Sequence, residues 1–75
     1  MAIFMVGYAD FFNNDLIVEC IEAENWKSAL ARHSKMMDEE GNPDDNSWLP
    51  DDMKEAKMSA FDADFLFDVK EIVGV

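Results

Sequence analysis

Cysteine and histidine occur once each in this chain, at Cys20 and His33, and there are only three glycines. One thiol excludes an internal disulfide, and one thiol with one imidazole excludes the usual Cys/His zinc site. Three glycines provide no glycine-rich loop to cradle a phosphate. Basic residues are also scarce: six Lys and Arg stand against 17 Asp and Glu, for a formal net charge of −11. Such a surface repels nucleic acid and anionic membranes, and it attracts basic surfaces at rates that depend on salt. Long hydrophobic runs are missing as well. The apolar stretch Ala2 to Val6 lacks a basic flank and meets Asp10 within a few residues. It is therefore expected to be neither a signal peptide nor a membrane span, and a lone free cysteine favours a cytoplasmic protein.

Apolar material is plentiful by contrast. Of the 75 residues, 49% are hydrophobic, including six Phe, six Met and two Trp. That is enough for one domain, residues 1–75, and too much for a disordered acidic tail. A chain this short buries only about 60% of the surface its unfolded form exposes. Its stability must come from a good core or from a partner subunit.

The pattern along the chain predicts an α+β fold. Ala2 to Phe12 is apolar on both alternating sets, as a central strand is. Asn13, Asn14 and Asp15 tolerate left-handed backbone and form a turn into a second strand, Leu16 to Ala23. The period then changes. Glu24 or Asn25 caps a helix with Trp26, Ala29, Leu30, His33 and Met37 on one face, and Gly41 follows where it should stop. Pro50 to about Ala60 reads as a short second helix with Met53, Ala56 and Ala60 inward. Asp64 to Val73 alternates again as a third strand. The β-β-α-α-β order predicts a three-stranded antiparallel sheet, order 2-1-3, with both helices on one face. Some of Phe4, Val6, Tyr8, Leu66 and Ile72 would then need cover from a homodimer mate or a target protein.

Catalytic chemistry has little to work with. His33 is the only side chain with an ordinary pKa near neutrality, and it falls on the apolar stripe of the helix, as a core histidine does. Cys20 lies mid-strand and reads as a small buried hydrophobe rather than a nucleophile. The run Asp38, Glu40, Asn42, Asp44 alternates oxygen ligands as a calcium loop does. It puts Pro43 where the tight-turn glycine belongs and Leu49 where the closing glutamate belongs, so it is not an EF-hand. No catalytic residue, metal site or cofactor is assigned.

Charge density is what stands out. Seven of the fifteen residues from Asp38 to Asp52 are carboxylates and none is basic. DNA presents one phosphate charge per about 1.7 Å of helix axis, and a rigid array of carboxylates imitates part of that field. Plain solubility is the competing explanation. Trp48 either anchors a partner among these acids or folds back over the helix ends, the expected state of a loop tryptophan in so small a domain. The candidate binding residues are Asp38, Glu39, Glu40, Asp44, Asp45, Trp48, Asp51, Asp52 and Glu55.

In its short length, the acidity of Asp38 to Asp52, and the hairpin-helix start around Asn14-Asp15-Leu16 and Asn25-Trp26, the chain resembles a class of small acidic accessory proteins. Phages and mobile elements make these against host machinery. The class includes anti-CRISPR proteins, anti-restriction DNA mimics, inhibitors of host polymerase or gyrase, and antitoxins. The resemblance carries over no site residue. It implies a non-enzymatic inhibitor, acting in the host cytoplasm, that binds the basic surface of a nuclease, polymerase, toxin or CRISPR effector without touching nucleic acid or membrane. Such binding weakens steeply with salt and uses carboxylates clustered on one face. The alternative is a homodimer or subunit that binds through an apolar sheet face, with its carboxylates spread out and its association little affected by salt.

Overall fold

The computed structural model describes residues 2–43 and 45–72. The strands are β1 (Ala2–Asp10), β2 (Asp15–Ala23) and β3 (Phe65–Ile72), and the helices are α1 (Trp26–Ala31) and α2 (Met53–Asp62). The sheet is antiparallel throughout with order β2-β1-β3, as the two-sided apolar character of the first strand predicts. Val73, expected at the end of the third strand, lies outside the described residues, as does Asp44. Among the described residues no helix is long and apolar enough to cross a membrane.

The hairpin differs from expectation at its tip. Asp10 pairs with Asp15, so Phe11 and Phe12 belong to the turn and Asp15 to the strand. The Asp10 carboxylate fixes this arrangement by accepting from the Phe12 amide at 2.9 Å and from Asn13 Nδ2 at 2.8 Å. Asn14 closes the turn with φ of 54°, a left-handed conformation asparagine tolerates.

The first helix is much shorter than its apolar stripe suggests. Asn25 caps it, accepting from the Ser28 amide at 2.9 Å, but it ends at Ala31. Side chains take the amides that would have continued the ladder. The Ser34 amide donates to Glu19 Oε1 at 3.0 Å and the Lys35 amide to His33 Nδ1 at 3.1 Å. His33 is buried, as its spacing implies, yet it sits beyond the helix end.

These bonds belong to a suture along β2. Arg32 reaches the Glu22 carbonyl at 3.3 Å, His33 the Ile17 carbonyl at 3.1 Å, Ser34 the Glu19 carboxylate, and Lys35 the Asp15 carboxylate at 2.7 Å. Four consecutive residues thus cover a strand at the sheet's edge, a place where unpaired backbone invites association.

The core lies between the helices and one sheet face. Phe4 and Val6 of β1, Ala23 of β2, Phe65, Phe67 and Val69 of β3, Leu30 of α1, and Ala56 and Ala60 of α2 are all buried there. Met53 packs against this cluster, so the second helix turns inward the residues its spacing predicts. Of the five residues expected to need outside cover, Phe4, Val6 and Tyr8 face the helices. Only Leu66 and Ile72 fall on the opposite, uncovered face.

Candidate functional site

The acidic segment is organised largely around its own backbone. Asp38 closes a turn by accepting from the amides of Glu40 and Asn42, each at 2.9 Å. The Asn42 amide holds the Asp38 carboxyl below its ordinary range. Asp45 accepts from the Ser47 amide at 3.1 Å and is lowered by that bond. Asp52 caps α2 through the Glu55 amide at 3.1 Å. Asp51 pairs with Lys27 at 3.1 Å, and the same ammonium donates to the Leu49 carbonyl at 2.7 Å. Glu39, Glu40 and Glu55 are exposed.

The candidate carboxylates are held by several local elements of the chain. Asp45 and Asp51 line a shallow recess beside α1 that also contains Lys27 and Arg32. Asp38, Glu39 and Glu40 lie on a separate turn, and Asp52 and Glu55 stand at the start of α2. The remaining acids lie along the hairpin, at the entry to α1, around the end of α2 and on β3. Trp48 is 51% exposed and touches Phe65 edge-on with ring centres 6.5 Å apart. The expected fold-back is therefore corrected: Leu49, 2% exposed, is the residue that anchors this loop in the core.

His33 has no accessible surface. Its Nδ1 accepts from the Lys35 amide, so the proton sits on Nε2 and points to the Ile17 carbonyl. Tyr8 stacks against the ring with centres 5.6 Å apart. Both ring nitrogens are engaged inside the protein, and neither faces a cleft. Among the described residues no group of three His, Cys, Asp or Glu is placed to hold a metal ion.

Cys20 overturns its expected burial, because it is exposed. It lies on the face of the sheet that the helices leave open, the apolar face of the alternative reading. The register lays it out as four rows across β3, β1 and β2: Ile72-Ile3-Glu22, Lys70-Met5-Cys20, Asp68-Gly7-Val18 and Leu66-Ala9-Leu16. Leu16 is 74% and Val18 57% exposed, with Met5 and Leu66 also open to solvent. Two adjoining dimples mark the surface, one of about 210 Å³ bounded by Met5, Gly7 and Val18, the other of about 360 Å³ bounded by Ala9, Leu16 and Leu66. Leu66 continues into a groove against Met58 and Phe61 of α2, and Phe61 meets Phe11 of the hairpin tip edge-on.

In a chain this acidic, the charge on the open face nearly cancels. Glu22 lies at one corner, while Asp68 and Lys70 are adjacent members of β3. Asp68 is also paired with Lys57 at 2.9 Å, and that bond is the main reason its carboxyl is held below the ordinary range. The signal for this face was present in the sequence, in Leu16, Val18 and Cys20 alternating with the inward Ile17 and Ile21. No family model, curated protein or solved structure matches the chain.

Proposed function

We propose that this chain is a protein-binding module whose recognition surface is the open face of its sheet. One observation carries the reading: Met5, Leu16, Val18 and Leu66 stand exposed together on a sheet face whose charges nearly cancel, in a protein with net charge −11. Isolated exposed apolar side chains need no explanation, but a contiguous apolar face does. Burying it returns about 25 cal/mol for each Å² of apolar area removed from water. The carboxylates placed around the other surfaces keep the chain soluble until that contact forms. An exposed thiol at Cys20 suits a reducing compartment such as the cytoplasm. The burial of His33 supports binding over catalysis.

A second reading has its own support. Glu39, Glu40 and Glu55 are exposed, and Asp38 and Asp45 are held ionised by backbone amides. A rigid set of carboxylates of this kind suits a basic nucleic-acid-handling protein, which the chain would inhibit or sequester. Asp38, Asp45 and Asp52 already accept from amides of their own turns and Asp51 is paired with Lys27, which makes this the weaker of the two.

The experiment compares capture of proteins from a bacterial lysate by three tagged forms. They are the wild type, Val18→Glu, and a triple Glu39→Gln, Glu40→Gln, Glu55→Gln variant. The sheet-face reading expects the specific partner to be lost with Val18→Glu and kept by the triple variant. Loss with the triple variant alone, together with release at high salt, would replace it by the acidic reading.

A further inference from the structure

Gly7 occupies the middle of the central strand, where glycine weakens a sheet and often marks the close approach of another chain. Its own chain does not require it. Its φ is outside the left-handed region. A Cβ built there would meet only Val18 Cγ2 at 3.8 Å and the Asp68 carbonyl at 3.9 Å, ordinary contact distances. The missing side chain leaves the hollow of the first dimple, and Met5 rises beside it from the adjacent row.

The rows have a symmetry of their own. Consider a two-fold axis lying in the plane of contact, running across the strands between the Met5 and Gly7 rows. It sets each strand antiparallel over its own copy and exchanges the four rows end for end. Met5 then faces Gly7 of the other copy, and Ile3 faces Ala9, so large side chains of the central strand meet small ones. On β3 the same operation places Lys70 over Asp68. Cys20 comes over Val18, and Glu22 alone meets an apolar residue, Leu16, at a corner where its carboxylate still reaches water. Packed sheets lie about 10 Å apart and cross at roughly 30°, so the pairing is kept best by the two rows nearest the axis. Those are the rows that hold Met5, Gly7, Asp68 and Lys70.

We propose that the occupant of the open face is a second copy of this chain, bound about this two-fold axis. Met5 of each copy enters the hollow at Gly7 of the other, and Lys70 of each pairs with Asp68 of the other. The proposal rests on the sheet-face reading and names its partner. Three strands about 4.8 Å apart and four rows about 6.8 Å apart make a face on the order of 400 Å² in projection. Counted over both copies that is about 800 Å², below the roughly 1,200 Å² at which stable interfaces begin, so the dimer is a weak, transient one that forms only with rising concentration.

The test is sedimentation equilibrium of the full chain over protein concentrations from about 1 μM to about 1 mM, the range in which so small an interface associates. It is run at moderate salt and repeated for three variants. Wild type is expected to pass from monomer to dimer. The Cys20 thiol, covered in the dimer, should be alkylated several-fold more slowly at the high end of the range. Lys70→Glu sets two carboxylates together at each contact, and Asp68→Lys sets two ammonium groups together, so each alone should associate tenfold or more weakly. An equimolar mixture of the two restores opposite charges at both contacts and should recover the dimer. A simple effect of overall charge gives a different pattern, because Asp68→Lys lowers the net negative charge and would then strengthen association. Gly7→Leu fills the hollow without altering any charge and should be monomeric.

A failure to recover the dimer in the mixture, or a Gly7→Leu dimer of wild-type strength, overturns the two-fold arrangement. A wild type that stays monomeric throughout overturns the second copy and leaves the apolar face to another protein, which the capture experiment decides separately. A dimer in which Cys20 reacts at the monomer rate forms through another surface and overturns the proposal, while the sheet-face reading is again decided by the capture experiment.

Discussion

His33 Nε2 stands 3.1 Å from the carbonyl oxygen of Ile17, and this contact ties the segment after α1 to the first half of β2. The imidazole is fully enclosed, with Tyr8 stacked on it and the Lys35 amide bonded to its other nitrogen. In so small a domain it joins the apolar core to the polar suture that ends the helix.

His33→Ala should therefore destabilise the fold strongly. It removes a buried ring and leaves a carbonyl and an amide without their partners, losses that together amount to about 2–4 kcal/mol. Urea denaturation of the variant against wild type checks this. A loss under about 0.5 kcal/mol, the range of ordinary surface substitutions, would mean that the ring is not the junction described.

Glu19 completes the same junction, accepting from the hydroxyl and amide of Ser34. The hydroxyl bond is the largest cause holding its carboxyl below the ordinary value of 4.5. A carboxylate whose folded pKa is depressed stabilises the fold fully above the unfolded value, and that contribution disappears as pH falls through the folded value. Wild type should lose stability on acidification below about pH 4.5, and Glu19→Gln should lose less over the same interval. Equal slopes for the two proteins in pH-dependent unfolding would contradict this role.

The fold was legible where one period ran long enough to decide. Both alternating sets of β1 are apolar, which placed it at the centre of the sheet. Ala56 and Ala60 are spaced by one helical turn, which turned α2 inward. The end of α1 could not be read in this way. It is set by Glu19, which lies fifteen residues from Ser34 in sequence and meets it only once the sheet has formed. The local role of the acidic run was hidden for a related reason. Counting carboxylates from Asp38 to Asp52 does not reveal that Asp38, Asp45 and Asp52 accept hydrogen bonds from amides of their own turns. Cys20 was misplaced because an apolar strand residue can face either the core or the open side, and only the register decides.

Gly7→Ala should separate folding from association. A Cβ fits at ordinary contact distance, so the substitution should raise monomer stability by about 0.5–1 kcal/mol through the less flexible unfolded chain. It also begins to fill the hollow that Met5 of a second copy enters, so association should weaken. Denaturation at low concentration and sedimentation at high concentration would show the opposite signs. Changes of the same sign in both would argue that Gly7 serves the chain's own fold.

Salt should act in a direction the two functional readings do not share. Copies of a chain with net charge −11 repel, and added salt screens that repulsion while the apolar contact remains. Self-association should strengthen as sodium chloride is raised from about 20 mM to about 300 mM, over which the Debye length shortens from roughly 20 Å to below 8 Å. Binding driven by carboxylates meeting a basic protein would weaken over the same range.

The central claim is that the open sheet face, and not the acidic segment, is where this protein binds, and photocrosslinking reads that surface directly. A benzophenone amino acid is placed in two separate proteins, at Leu16 on the face and at Glu40 on the acidic turn. Each is irradiated in cell lysate and at high concentration of the pure chain. The account predicts discrete adducts from position 16, with the chain itself or with another protein, and none from position 40. Adducts from position 40 with none from position 16 would contradict it.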